Sequence, residues 1–366
     1  MPDYYKFVRP FIFLLPPEAA HRLSIWSLKK NLIPDAKVYT DKALESEVFG
    51  LDFKNPVGLA AGFDKNAECI EELQRQNFGF VEVGTVTPQA QEGNNKPRIF
   101  RLRNKQANIN RLGFNNEGIE LFSQKLRQWK YSTLGEKEIT LGANIGRNKN
   151  SPNNASDYVS CMERVYGLCD YLTINISSPN TSGLRELQKK EHLKKFLFDI
   201  VNRKNEITTK YKGKLPLVLK ISPDETDESL ENIAEICLEL NIDGVIISNT
   251  TINDEVASAN GFAEKKPQGG ISGKPLYALS TSKLEKFYRL TEGKIPIIGV
   301  GGIFSAEDAY NKIKKGASLI QVYTGFIYKG FGLVNEINKG LVELLKQDGF
   351  KSISEAIGAD VRESQK

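Results

Sequence analysis

The residues able to do chemistry in this chain are lysines, serines, threonines and asparagines, and they recur at one kind of place, the end of a short apolar run. Ala60-Ala61-Gly62-Phe63-Asp64-Lys65, Gly84-Thr85 and Asn144 close the first three runs. Asn175-Ile176-Ser177-Ser178-Pro179-Asn180, Lys220, Ser248-Asn249-Thr250, Gly299-Val300-Gly301-Gly302 and Tyr323-Thr324-Gly325 close the next five. A buried amide or ammonium costs several kcal/mol if unpaired. One such end could be a local hydrogen bond, but eight in series require a large polar ligand. Glycines locate an anionic part of it. Gly301-Gly302 precede a helix capped by Ser305, Thr324-Gly325 follow the last run, and backbone amides at such turns bind phosphate. A dinucleotide fingerprint fails, because its third glycine would fall at Phe304.

Other chemistries are poorly supplied. His21 and His192 are the only histidines, too few for a multi-His metal site, and no metal ligand set is expected. Cys69, Cys161, Cys169 and Cys237 form no C-x-x-C pair and fall in helix-like segments, as core thiols of a reducing compartment do. The work must fall to Lys, Ser, Asn, Thr or a borrowed cofactor.

The elements that position these residues alternate. Strand candidates are 57–62, 79–85, 140–145, 171–176, 216–221, 244–248, 296–300 and 319–323, near-continuously apolar as strands buried on both faces are. Helices are expected between them, among them 227–240, capped by Thr226 or Asp227, and 305–315, whose Ala306, Ala309 and Ile313 share a face. Eight strands favour a closed (β/α)8 TIM barrel; a doubly wound open sheet is the alternative. The long connections 86–114, 177–190 and 249–275 leave C-terminal strand ends, where barrel active sites sit.

At 366 residues, 40% hydrophobic and 26% charged, the chain is long enough for such a barrel with an addition. The net charge of +5 is spread evenly, and no basic-aromatic stripe argues for nucleic acid. Residues 1–40 differ: Tyr4 to Leu15 are densely aromatic and aliphatic, Pro16-Pro17 interrupt, and a helical stretch 18–32 mixes Leu23, Trp26 and Leu28 with Arg22, Lys29 and Lys30. A signal peptide fits poorly. Composition leaves two readings open, a helical hairpin packed on the barrel and a pair of interfacial helices on a membrane surface.

Several segments resemble a known family: Gly58-Leu-Ala-Ala-Gly-Phe-Asp-Lys-Asn66, Gly84-Thr-Val-Thr-Pro88, Asn110-Arg-Leu-Gly-Phe-Asn115, Asn175-Ile-Ser-Ser-Pro-Asn-Thr181, Gly270-Ile-Ser-Gly-Lys-Pro-Leu276 and Gly299-Val-Gly-Gly-Ile303. Over about residues 3–360 the chain is similar to class 2, quinone-dependent dihydroorotate dehydrogenases. That resemblance implies a TIM barrel holding FMN (41–360), a small N-terminal helical domain admitting quinone (1–40), and a polar tail (361–366). It implies oxidation of dihydroorotate to orotate in pyrimidine synthesis, with a membrane quinone as final acceptor. It also implies a peripheral membrane location, on the cytoplasmic side of a bacterial inner membrane.

The resemblance further assigns residues. FMN is expected against Ala61, Gly62, Lys65, Thr85, Asn144, Asn175, Lys220 and Ser248, with phosphate and ribityl contacts from Gly273, Gly302, Tyr323 and Thr324. Substrate is expected against Lys65, Asn110, Arg111, Leu112, Gly113, Phe114, Asn175, Asn180, Asn249 and Thr250. Ser178 is implied as the base for the C5 proton, with Thr181 and Phe114 framing a proton exit; read without the resemblance, Ser177-Ser178-Pro179 is a turn. His21, with the helical segment Pro17–Leu23, would line the quinone path with Arg101 and Tyr323. Class 1 relatives place Cys at the base position, so the hydroxyl at 178 and the N-terminal extension point to class 2. Ser182 and Ser248 depart from the family pattern, where Pro and Thr are common. The rivals are a class 1 relative using fumarate or NAD, and a non-catalytic barrel at a membrane surface.

Overall fold

Eight parallel strands close on themselves: β1 (Val57–Leu59), β2 (Phe80–Val86), β3 (Thr140–Ile145), β4 (Tyr171–Asn175), β5 (Leu217–Ile221), β6 (Gly244–Ile247), β7 (Ile297–Val300) and β8 (Ala317–Val322). Each pairs with the next, and β8 returns to β1 in the register Ile320 opposite Val57. The computed structural model describes residues 5–132, 139–151, 154–177, 190–262 and 267–364. Closure excludes the open sheet. Val, Ile and Leu dominate the strands because both faces are covered, one by the barrel interior and one by the helices.

The helices between strands follow their caps. Thr226 accepts from the Ser229 amide at the start of Asp227–Glu239, and Ser305 accepts from the Asp308 amide at the start of Ala306–Lys314. Three expectations shift. β1 stops at Leu59, because the chain turns at Gly62 (φ +108°). Cys169 lies in the turn before β4 rather than in a helix, although all four thiols are buried and free. No polar tail begins at 361, because Val361 is buried within the short helix Ala359–Glu363.

The barrel bottom is plugged. A hairpin, Ser46–Val48 with Leu51–Phe53, inserts Val48 and Phe53 against Phe80, Tyr171, Val218 and Ile298. The top carries a three-stranded antiparallel sheet, Ile99–Leu102, Ala107–Asn110 and Gly270–Gly273, built from two of the long connections. On that sheet sits α2 (Pro17–Lys29), preceded by α1 (Tyr5–Ile12). Tyr5 donates to the Ile327 carbonyl (2.6 Å), Arg9 to that of Tyr328 (2.8 Å), and Arg98 pairs with Glu18 at 2.6 Å. Phe7, Phe11 and Leu14 point outward, each at least 72% exposed. Among the described residues no helix is long and apolar enough to cross a membrane.

Candidate active site

The polar strand ends meet in one cavity at the C-terminal mouth of the barrel. Ala61, Gly62 and Lys65 after β1, Thr85 on β2, Asn175 on β4, Lys220 on β5 and Ser248 after β6 all line it. So do Gly273, Gly302, Tyr323 and Thr324. From the connections come Asn110, Leu112, Gly113, Phe114, Asn249 and Thr250. Two expected residues are not at the wall. Asn144 is fully buried behind it, and Arg111 turns its guanidinium onto the Pro97 carbonyl (2.9 Å) and over the Phe100 ring. Ser178, Asn180 and Thr181 lie outside the described residues.

A directed chain of hydrogen bonds sets the amides of this wall. Buried Glu82 accepts from Asn144 Nδ2 (2.8 Å), Thr173 (3.0 Å), Tyr171 (3.1 Å) and Gln321 (3.1 Å). With its Nδ2 thus committed, Asn144 presents Oδ1 to the Thr85 hydroxyl (2.5 Å) and to Asn175 Nδ2 (3.2 Å). Asn175 Oδ1 then accepts from Ser177 Oγ (3.3 Å), which accepts from Asn249 Nδ2 (3.0 Å). Each donor points back toward Glu82, so no amide in the chain can flip without leaving a buried donor unpaired.

Two lysines supply the charge. Lys220 is buried, and its ammonium has no hydrogen-bonding partner among the described residues; burial lowers its pKa, with Glu82 opposing. Lys65 donates to Asn115 Oδ1 (2.6 Å); burial and the Arg98 charge lower its pKa to about 7, with Glu18 opposing. Both are poised to gain from an anionic or electron-rich ligand. Elsewhere on the same wall, the amides of Gly302 and Ile303 have no acceptor among the described residues, and Thr324 donates to Ser272 Oγ (2.9 Å).

The model of the dihydroorotate dehydrogenase family matches residues 43–345. This chain belongs to that family. The mitochondrial dihydroorotate dehydrogenase (quinone) of Arabidopsis thaliana is 47% identical, over 98% of this chain and 82% of its own length. The quinone enzymes of Azorhizobium caulinodans and Mus musculus are each 45% identical over 98% of this chain, covering 100% and 91% of theirs. A crystal structure of dihydroorotate dehydrogenase from Eimeria tenella in complex with ferulenol matches with a TM-score of 0.88 at 40% identity, covering 94% of this chain and 96% of that one.

In this dihydroorotate dehydrogenase a wide cleft under α1 and α2 runs into the cavity, and Gly62, Lys65, Asn110 and Tyr323 face both. His21 and Arg101 line the cleft. His21 donates from Nε2 to the Phe63 carbonyl (2.7 Å), and burial depresses its pKa, with that hydrogen bond opposing. Arg101 donates to the Leu15 carbonyl (2.8 Å) and lies 4.7 Å from the Phe13 ring centroid. The Tyr323 hydroxyl donates to the Gly62 carbonyl (3.2 Å), and burial pushes it up to about 12. Sequence reasoning assigned no role to Glu82, Asn115 or the Glu18–Arg98 pair, and at the end of β4 it singled out Ser178 rather than Ser177. Glu82 carried a signal, a carboxylate in the middle of an otherwise apolar strand.

Proposed function

We propose that this chain oxidises (S)-dihydroorotate to orotate, with FMN held in the cavity and a membrane quinone as final electron acceptor. The observation that carries the reading is the buried Lys220 ammonium, without a hydrogen-bonding partner among the described residues, facing the same cavity as the amides of Gly302 and Ile303, which have no acceptor among them. A flat, electron-accepting ring joined to a phosphate fits that pair of features, and the hydroxyls of Ser272 and Thr324 line the same cavity. Bound there, FMN would take up two electrons from the substrate and pass them to quinone.

The chain's own residues do the rest. Lys65 holds the substrate carboxylate, and Asn110, Asn249 and Thr250 match the ring amides. Orientation by these groups accounts for much of the rate such a site can supply. Ser178 is assigned the C5 proton, which a hydroxyl accepts only with an onward path, the role assigned to Thr181 and Phe114. Lys220 stabilises negative charge on the ring face. His21, Arg101 and Tyr323 border the way from the cleft, and the N-terminal segment rests on a membrane surface through Phe7 and Phe11 of α1 and Leu14 just beyond it. We place that membrane contact on the cytoplasmic side of a bacterial inner membrane.

The test is anaerobic addition of dihydroorotate to the purified protein while the flavin absorbance is followed. Bleaching that a soluble quinone reverses, and that fumarate and NAD do not, is expected. A colourless protein, or robust fumarate turnover, would sink the proposal.

A further inference from the structure

Helix Ala306–Lys314 carries a lysine that the cavity does not touch. Lys312 is fully buried. Its ammonium donates to Ser280 Oγ and Thr281 Oγ1 (2.8 Å each) and lies 5.0 Å from the Tyr277 ring centroid. Among the described residues no carboxylate lies within ion-pairing distance. Asp308, one turn earlier, is the acid whose field reaches it, and its Oδ2 already accepts from the Phe304 amide (2.8 Å). An apolar side chain of similar length would fill this place without the cost of burying an ammonium. Burial lowers the Lys312 pKa to about 7, a measure of how poorly the chain alone compensates the charge.

Its surroundings lead to the turn after β7. The Ser280 hydroxyl lies 3.1 Å from the Tyr277 carbonyl oxygen and 3.3 Å from that of Gly301. Only glycine allows that approach, since a Cβ on Gly301 (φ +113°) would sit 2.7 Å from Ser280 Oγ. Lys312 occupies a lone pair of that oxygen, leaving the Ser280 proton for the two carbonyls. A peptide is planar and trans, so its C=O and N–H point in opposite directions. With the Gly301 carbonyl turned to Ser280, the Gly302 amide faces the other way, toward the cavity that both glycines line.

We propose that Lys312 is a positioning residue for the phosphate of the bound flavin nucleotide: through Ser280 it fixes the Gly301–Gly302 peptide with the Gly302 amide toward that phosphate, and it sets a positive charge behind the turn. This rests on the FMN reading of the cavity. The phosphate supplies negative charge beyond the partial field of Asp308.

The test compares FMN with riboflavin, which has no phosphate, for binding to the full chain by quenching of flavin fluorescence. Lys312→Met should weaken FMN binding about tenfold or more, equivalent to about 1.4 kcal/mol, while riboflavin affinity stays within about twofold. Ser280→Ala should show a smaller loss of the same kind. The flavin-free Lys312→Met protein should melt at or above the parental temperature, which a purely structural lysine would not give. An unchanged ratio of FMN to riboflavin affinity in Lys312→Met overturns the inference. If that variant does not fold, an unchanged ratio in Ser280→Ala does so. Parental protein that binds neither flavin removes the FMN reading and this inference with it; parental protein that binds FMN, with unchanged ratios in the variants, removes this inference alone.

Discussion

Lys65 turns carboxylate binding into a titration. Its pKa of about 7 arises because burial and the Arg98 guanidinium both disfavour the ammonium, and Glu18 only partly restores it. A ligand carboxylate gains its ion pair from the protonated form alone. Below pH 7 the lysine is ready; above it, each unit of pH requires a proton to be taken up on binding and weakens the complex up to tenfold. Orotate should therefore bind about thirtyfold more weakly at pH 8.5 than at pH 6. The assay is the orotate-induced change in flavin absorbance at constant ionic strength, an equilibrium measurement free of turnover. Lys65→Met should bind weakly at all pH values and lose the slope. Glu18→Gln removes the opposing field, so its slope should begin at lower pH. Without ligand the sign reverses: the folded state holds fewer protons than the unfolded chain between about pH 7 and 10.5, so the contribution of Lys65 to stability rises with pH across that window. An orotate dissociation constant that stays flat from pH 6 to 8.5, or a slope that survives Lys65→Met, would refute the assignment of Lys65 to the substrate carboxylate.

Three further outcomes follow. Replacing Phe7, Phe11 and Leu14 together by Ser removes side chains that pack little against the chain; the melting temperature should barely move, while co-sedimentation with anionic vesicles drops at least fivefold. Gly325→Ala would drive its Cβ into the Ile303 carbonyl oxygen, shifting the turn; flavin retained after gel filtration should fall, and full retention would show that the turn yields freely. Ser178→Ala should leave flavin bound and slow its reduction by dihydroorotate by about 10²-fold or more, as stopped-flow bleaching would show.

The barrel was legible because its signal is local. Eight apolar runs with polar ends are written in consecutive residues, and the caps at Thr226 and Ser305 mark the helices that follow. What escaped depends on pairing across long separations. The strand Gly270–Gly273 joins Ala107–Asn110 from over 150 residues away, and Ile99–Leu102 is half-exposed throughout, so neither reads as a strand alone. Its turn uses Gln106 at φ +46°, without the glycine that would have marked it. Lys312 escaped for another reason: a lysine on an amphipathic helix reads as solvated, and only the packing of Tyr277–Leu290 over it says otherwise. Arg111 was drawn to the substrate by its place between Asn110 and Leu112, but its side chain leaves on the opposite side.

Glu82 offers the sharpest test of whether the wall of the cavity is a single hydrogen-bonded unit. Its two oxygens receive four donors, one at Oε1 from Asn144 and three at Oε2 from Tyr171, Thr173 and Gln321. In Glu82→Gln the single oxygen would stay with the three donors, and the new amide would meet the Asn144 amide, donor against donor. Asn144 then either keeps an unpaired buried donor or flips. A flip would turn its Nδ2 toward Asn175 Nδ2, passing the same conflict one strand closer to the ligand. Either route costs about 1–3 kcal/mol. A melting temperature lowered by a few degrees is expected, together with an altered flavin spectrum if the conflict moves outward. The lost charge also withdraws the field that supports the Lys220 ammonium, so that lysine should deprotonate at lower pH than in the parent. A variant matching the parent in both stability and flavin spectrum would mean that the amides of Asn144 and Asn175 are oriented independently of Glu82.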